Sequence, residues 1–197
     1  PDDDPAFMER VGREAELVVS RLRNHPSLAL WSGNNENEAI HRGFIEPGSD
    51  KPFYGRKIYH ELLPRVCASM DRARPYWPSS PYGGTDPGSE MLGDRHSWHV
   101  SLSGEGDKRV QYKAHSEDMA KFVSEYGFLA PPRRESLARF LPEDEMHPGS
   151  ESWTFHENTF DRGVLRLALE YHFGKDPDDV DLDDWLILAQ AYQSEAL

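Results

Sequence analysis

With 197 residues, 35 of them acidic against 22 basic for a net charge of −13, the chain has room for one ordinary domain or for part of a larger one. That charge argues against nucleic acid and anionic membranes as partners, because both would repel it, and an aromatic content of 11% favours a packed core over wholesale disorder. An acidic surface is compatible with a neutral ligand such as a sugar.

Residues 5 to 23 are expected to form an amphipathic helix. Asp4 is placed to cap it, and Pro5 suits its first position. Phe7, Met8, Val11, Ala15, Val18 and Leu22 fall on its apolar face. The chain then passes through Asn24-His25-Pro26 into Leu28-Ala29-Leu30-Trp31. This short apolar run stops abruptly at Ser32-Gly33 and the polar cluster Asn34-Asn35-Glu36-Asn37-Glu38. A buried parallel strand that opens into a site at its C-terminal end has this pattern. A loop is predicted over about 40 to 53, where Gly43, Pro47, Gly48 and Pro52 punctuate the chain. A helix follows from Tyr54 to Met70, with a break expected at Pro64. Cys67 lies on its apolar side beside Leu63, Val66 and Met70, which predicts a buried structural thiol. As the single cysteine it allows neither an internal disulfide nor a Cys-rich metal site.

Arg74 to Ser80 is a proline-flanked strand candidate, and 81 to 94 a Gly/Pro-rich loop. A third strand is predicted over 95 to 100, and a short helix near Ser116. A fourth strand, 121 to 124, again ends in a carboxylate, Glu125. Further on come a short helix near 133 to 140, a loop to about 157, a helix from an Asn158 cap to His172 closed by Gly174, and a last helix after Asp181. No stretch has the length and apolarity of a membrane span. The alternation of helices and strands predicts parallel strands with crossovers. Four strands cannot close an eight-stranded barrel, and both ends look cut, so residues 1–197 are expected to be a fragment. Missing targeting signals then say nothing about compartment.

Glu36 and Glu125 are far apart in sequence but occupy equivalent places, each at the end of a short strand. Two carboxylates facing one bond are the minimum equipment for glycoside hydrolysis. Asn35 could hydrogen-bond a sugar hydroxyl, and Trp31, Trp77 and Trp98 could offer apolar faces to a pyranose ring. A Glu after a short strand is, however, commonly a cap or a solvated residue. His96 and His99 invite a metal reading, but strand alternation would turn them to different sides, so no metal is assigned. The acidic runs 143 to 145 and 176 to 184 are taken as solvated loops.

Four segments carry a resemblance to a known family. Asn24-His25-Pro26-Ser27 through Trp31-Ser32-Gly33-Asn34-Asn35-Glu36-Asn37-Glu38 closely resembles the acid/base segment of β-mannosidases in glycoside hydrolase family 2. Arg74 to Pro81, Gly93 to Trp98 and Phe122 to Phe128 resemble that family's fifth-, sixth- and seventh-strand segments, in that order. The resemblance implies an α/β fold, part of a (β/α)8 TIM barrel covering roughly strands 4 to 7. It implies Glu36 as general acid/base and Glu125 as nucleophile. It implies Asn35, Trp98, Trp31, His96 and Tyr126 as sugar-binding residues, with no cofactor. The implied activity is a retaining exo-β-mannosidase, with carboxyl groups about 5–5.5 Å apart. Its implied partners are a β-mannoside or manno-oligosaccharide, the rest of its own barrel and N-terminal sandwich domains. The isolated piece, lacking half a barrel, is expected to be inactive. Another β-glycosidase of the same family, or a non-catalytic carbohydrate-binding module, are the alternatives.

Overall fold

The computed structural model describes residues 2, 4–44, 52–158 and 163–197. The chain is a mixture of helices with short strands, divided into two compact units. The first comprises Pro1–His96 and Met119–Ser124; the second comprises Ser97–Asp118 and Glu125–Leu197.

The first unit begins with helix α1, Pro5–Leu22. Asp4 caps it as expected, its carboxylate accepting from the backbone N–H groups of Ala6 and Phe7 at 2.9 and 3.2 Å. Its packed face runs through Met8, Val11, Ala15 and Val19. Val18, expected inside, is exposed, and Val19 takes its place. Opposite lies helix α3, Leu63–Met70, which buries Val66 and Cys67. The predicted break near Pro64 takes the form of a π-helical turn, Ile58–Leu62, where the Leu63 N–H reaches the Ile58 carbonyl. Pro64 brings no N–H and would crowd the preceding turn; widening that turn removes the clash without ending the helix.

Strand β1 is Trp31–Ser32, later and shorter than the predicted 28 to 31, and β2 is Tyr76–Trp77. They pair in parallel, Trp31 opposite Tyr76 and Ser32 opposite Trp77, as the alternating pattern required. Neither is fully buried, so the apolar run overstated the strand's depth. After β1 comes helix α2, Asn37–Ala39. A π-helical turn, Ile40–Phe44, stands where a loop was expected; the rest of that predicted loop, 45–51, lies outside the described residues. Strand β3 is Arg95–His96 and β4 is Val123–Glu125. The predicted third strand thus stops at His96, and 97 to 100 leave the ladder.

The second unit is built on helices α6, Val164–Phe173, and α7, Leu182–Ala196. Ala168, Leu169, Trp185, Ala189 and Tyr192 form the centre of a core that also takes in Val100, Val110 and Phe128. Asp181 caps α7 through the Asp184 N–H, and Gly174 closes α6 in the left-handed conformation, φ 60°, that glycine adopts without a Cβ penalty. Asn158 is not the cap of α6: Gly163 precedes its first residue. Between α4, Arg134–Leu137, and α6, the expected loop contains α5, Glu151–His156. Ser150 caps α5 through the Trp153 N–H, and Glu145 accepts from the Ser152 N–H. Glu145 is therefore bound to a helix start, not free in a solvated loop. Hydrogen bonding to Ser152 lowers its pKa. No helix among the described residues is long and apolar enough to cross a membrane.

Candidate functional site

In the first unit the polar cluster after β1 is held by one residue that composition alone does not single out, Asn34. Its Nδ2 donates to the Pro78 carbonyl at 2.7 Å, and its Oδ1 accepts from Ser79 Oγ and from the Asn37 N–H, both at 3.0 Å. The backbone continues the parallel ladder past β1: Gly33 N donates to Trp77 O at 2.9 Å, Ser80 N to Asn34 O at 2.8 Å and Glu36 N to Ser80 O at 2.7 Å. Gly33 is required there. A Cβ would stand 2.3 Å from Tyr76 Oη and 2.6 Å from the Pro78 carbonyl oxygen.

The ladder ends at Glu36, whose backbone is left-handed at φ 61°, ψ −3°. This region is uncommon for a residue other than glycine. The turn sends the chain into α2 and leaves the Glu36 side chain one-third exposed, with Oε1 2.8 Å from His96 Nδ1. The His96 side chain is only 4% exposed, and its Nε2 lies 2.9 Å from Ser80 Oγ. His96 is thus bound to protein groups on both nitrogens, Glu36 on one side and Ser80 on the other. Asn35 is exposed beside Glu36. Glu38, two positions on, is buried and paired with His60, so the two glutamates of the cluster are sorted by environment.

Trp31 is anchored by its indole. Its Nε1 donates to Asp71 Oδ2 at 3.0 Å, and its partly buried ring packs against the α1–α3 core. Arg74 completes this anchor, pairing with Asp71 at 2.8 Å and donating to the carbonyls of Leu28 and His25. Burial pushes the Asp71 carboxyl up, but hydrogen bonds from Trp31 and Arg74 and the Arg74 charge outweigh it, and the net pKa is lowered. Trp77 stacks against Tyr82 at 5.7 Å between centroids and meets Phe122 at 6.5 Å.

In the second unit, Glu125 is partly buried, and its carbonyl accepts from the Ser97 N–H at 2.7 Å. Trp98 and Tyr126 come together on a cleft of about 270 Å³ that Leu102, Gly127 and Phe128 also line. Tyr126 is 44% exposed. Behind it, His115 meets the rings of Tyr126, Phe128 and His99 edge-on at 5.6, 5.8 and 5.5 Å. Burial, reinforced by the neighbouring His99, lowers the pKa of His115 and favours its neutral form. His99 Nδ1 lies 3.0 Å from Ser97 Oγ, which donates to Asp118 at 2.7 Å. His96 and His99 therefore have different partners. Strand alternation is not the cause, since the strand ends at His96.

Asn34 and Ser80 were not singled out because an amide or a hydroxyl in a polar stretch does not disclose its long-range partner. The signal available for both was position, since each lies inside a segment that carries the family resemblance.

No family model matches the chain. Curated proteins do. A β-mannosidase B of Thermothelomyces thermophilus is 31% identical over 211 residues, 98% of this chain and 24% of that protein. A β-mannosidase B of Emericella nidulans is 31% identical over 205 residues, with the same coverage of each. Among solved structures, the β-D-mannosidase of Dictyoglomus thermophilum superposes with a TM-score of 0.79 at 37% identity, covering 98% of this chain and 23% of that one. The chain spans about a quarter of the length of the relatives it matches.

Proposed function

We propose that this chain, a homologue of β-mannosidases over 98% of its own length, is part of the catalytic (β/α)8 barrel of a retaining exo-β-mannosidase, roughly strands 4 to 7. The carrying observation is the likeness to the Dictyoglomus β-D-mannosidase at 37% identity over nearly the whole chain. In this reading β1, β2, β3 and β4 are the four barrel strands. Residues of the remaining strands come from outside the segment.

Glu125 attacks the anomeric carbon of a terminal β-mannosyl residue, while Glu36 protonates the departing oxygen. Glu36 then takes a proton from the water that hydrolyses the glycosyl-enzyme. The two steps ask one carboxyl to act first as acid and then as base. The 2.8 Å contact to buried His96 supports that assignment for Glu36. The exposed Asn35 amide is placed to meet a sugar hydroxyl. Trp98 and Tyr126 give the cleft an aromatic wall suited to the apolar face of a pyranose.

The test is hydrolysis of a panel of aryl glycosides by the full-length protein. Turnover confined to β-mannosides is expected, and Glu125→Ala or Glu36→Gln should each remove most of it. Near-normal hydrolysis of the phenyl β-mannoside by either variant, or preference for a β-galactoside or β-glucosaminide, refutes the assignment. A crystal structure of the whole protein should place the two carboxyls about 5–5.5 Å apart, and a separation of about 6.5–9.5 Å would instead mean inversion.

A further inference from the structure

Asp94 is 2% exposed, and its carboxylate accepts hydrogen bonds from three neighbours. Oδ1 accepts from the Tyr82 N–H at 2.7 Å. Oδ2 accepts from the hydroxyls of Ser80 and Ser124, both at 2.5 Å. Two oxygens at that distance require a proton between them. The single hydroxyl proton of Ser80 is therefore committed to Asp94, and Ser80 Oγ can only accept from His96 Nε2, 2.9 Å away. That places a proton on Nε2. In a neutral imidazole the other nitrogen is then a lone pair. With His96 neutral, Nδ1 faces Glu36 Oε1 at 2.8 Å as an acceptor, and the bond closes with the proton on Glu36.

From this chain of bonds we infer that Asp94 is a positioning residue that fixes the tautomer of His96 through Ser80, so that Glu36 is held in the protonated form from which it can donate to the glycosidic oxygen. The inference rests on Glu36 being the acid/base. It explains why a buried carboxylate stands two residues before His96 without touching Glu36. Replacing one oxygen with an amide reverses the polarity of the whole chain. In Asp94→Asn, Nδ2–H donates to Ser80 Oγ and Ser80 O–H donates to His96 Nε2. His96 Nδ1–H then donates to Glu36, which is favoured as a carboxylate. The acid is lost, while the base needed for the second step is retained.

The experiment measures kcat/KM in the full-length protein for two aryl β-mannosides, one with phenol and one with 2,4-dinitrophenol as leaving group. The activated phenolate leaves without a proton, so only the phenyl substrate reports the acid. General acid catalysis contributes about 10²- to 10⁴-fold. Asp94→Asn should therefore lower kcat/KM for the phenyl substrate by about 10²-fold and for the dinitrophenyl substrate by about threefold or less. Ser80→Ala, which removes the acceptor for Nε2, should show the same selectivity and decides the matter if Asp94→Asn does not fold. A merely structural role would lower both substrates together, and that result, or no effect on either, overturns the inference. Glu36→Gln is the reference. If it is selective for leaving group and the Asp94 and Ser80 variants are not, the inference alone falls. If Glu36→Gln is itself unselective, the acid/base reading falls and takes the inference with it.

Discussion

Gly33→Ala tests how strictly the ladder behind Glu36 is built. The new methyl carbon would lie 2.3 Å from Tyr76 Oη and 2.6 Å from the Pro78 carbonyl oxygen, about 1 Å or more inside normal contact. Tyr76 cannot simply swing away, because its hydroxyl donates to the Tyr59 carbonyl at 2.6 Å. Pro78 is tied by the Asn34 amide. Relief must come from parting β1 and β2, which strains the Gly33 N–H to Trp77 bond of 2.9 Å. Overpacking costs about 1–3 kcal/mol and one weakened hydrogen bond about 1 kcal/mol, for a total of about 2–4 kcal/mol. At 1.4 kcal/mol per tenfold, the amides of Trp31 and Gly33 should exchange with deuterium about 30- to 1,000-fold faster in the variant. Exchange followed by mass spectrometry on the corresponding peptide reads this locally, without requiring the whole protein to unfold in one step. Gly43→Ala is the control, since a Cβ there meets nothing within 4 Å. Protection unchanged within about threefold in Gly33→Ala, which is about 0.7 kcal/mol, would refute the close approach.

Three further outcomes are expected. Trp98→Ala should lower kcat/KM for an aryl β-mannoside by about 3- to 10-fold through loss of one aromatic wall, measured by steady-state kinetics, with the melting temperature nearly unchanged because Trp98 is only partly buried. Asp71 has a pKa below its ordinary 3.8 in the folded chain, so its stabilisation is complete above that value and is lost as pH falls through the lowered one. Asp71→Asn should be less stable than wild type at neutral pH but lose less on acidification below 3.8, as read from melting temperature against pH. His115 has a pKa below 6.5, from burial first and His99 second. The unfolded chain therefore takes up the proton first, and stability falls as pH drops below 6.5. His115→Phe keeps the ring contacts and should flatten that part of the melting curve.

The elements that the sequence disclosed were those with local causes. The Asp4 and Asp181 caps, the Gly174 stop and the burial of Cys67 depend on neighbours a few positions away. The strands were harder to delimit. Leu28-Ala29-Leu30 looks like part of a buried strand, yet pairing begins only at Trp31, because a strand's extent depends on its partner and not on its own apolarity. Helix α5 was hidden because its cap is a serine in a Gly/Ser stretch that reads as a loop. Around the candidate site the sequence pointed to residues but not to their contacts. Trp31 meets Asp71 and His96 meets Ser80, each more than a dozen positions distant.

The left-handed Glu36 draws these observations together. Such a conformation costs about 1–3 kcal/mol and persists only where its surroundings over-determine it. Here they do. The Glu36 N–H is fixed by the Ser80 carbonyl, its own carbonyl receives the Ile40 N–H, and Asn34 binds the following residue, Asn37. Had the strand continued, alternation would have kept Asn35 and Glu36 on opposite faces. The turn instead brings the Glu36 carboxyl to His96 Nδ1. Ser80 serves this geometry twice, its backbone carbonyl holding the Glu36 N–H and its hydroxyl meeting His96. The cluster Gly33-Asn34-Asn35-Glu36-Asn37 is therefore mostly scaffold: a close approach at Gly33, a bracket at Asn34 and a turn at Glu36, all serving to present one carboxyl.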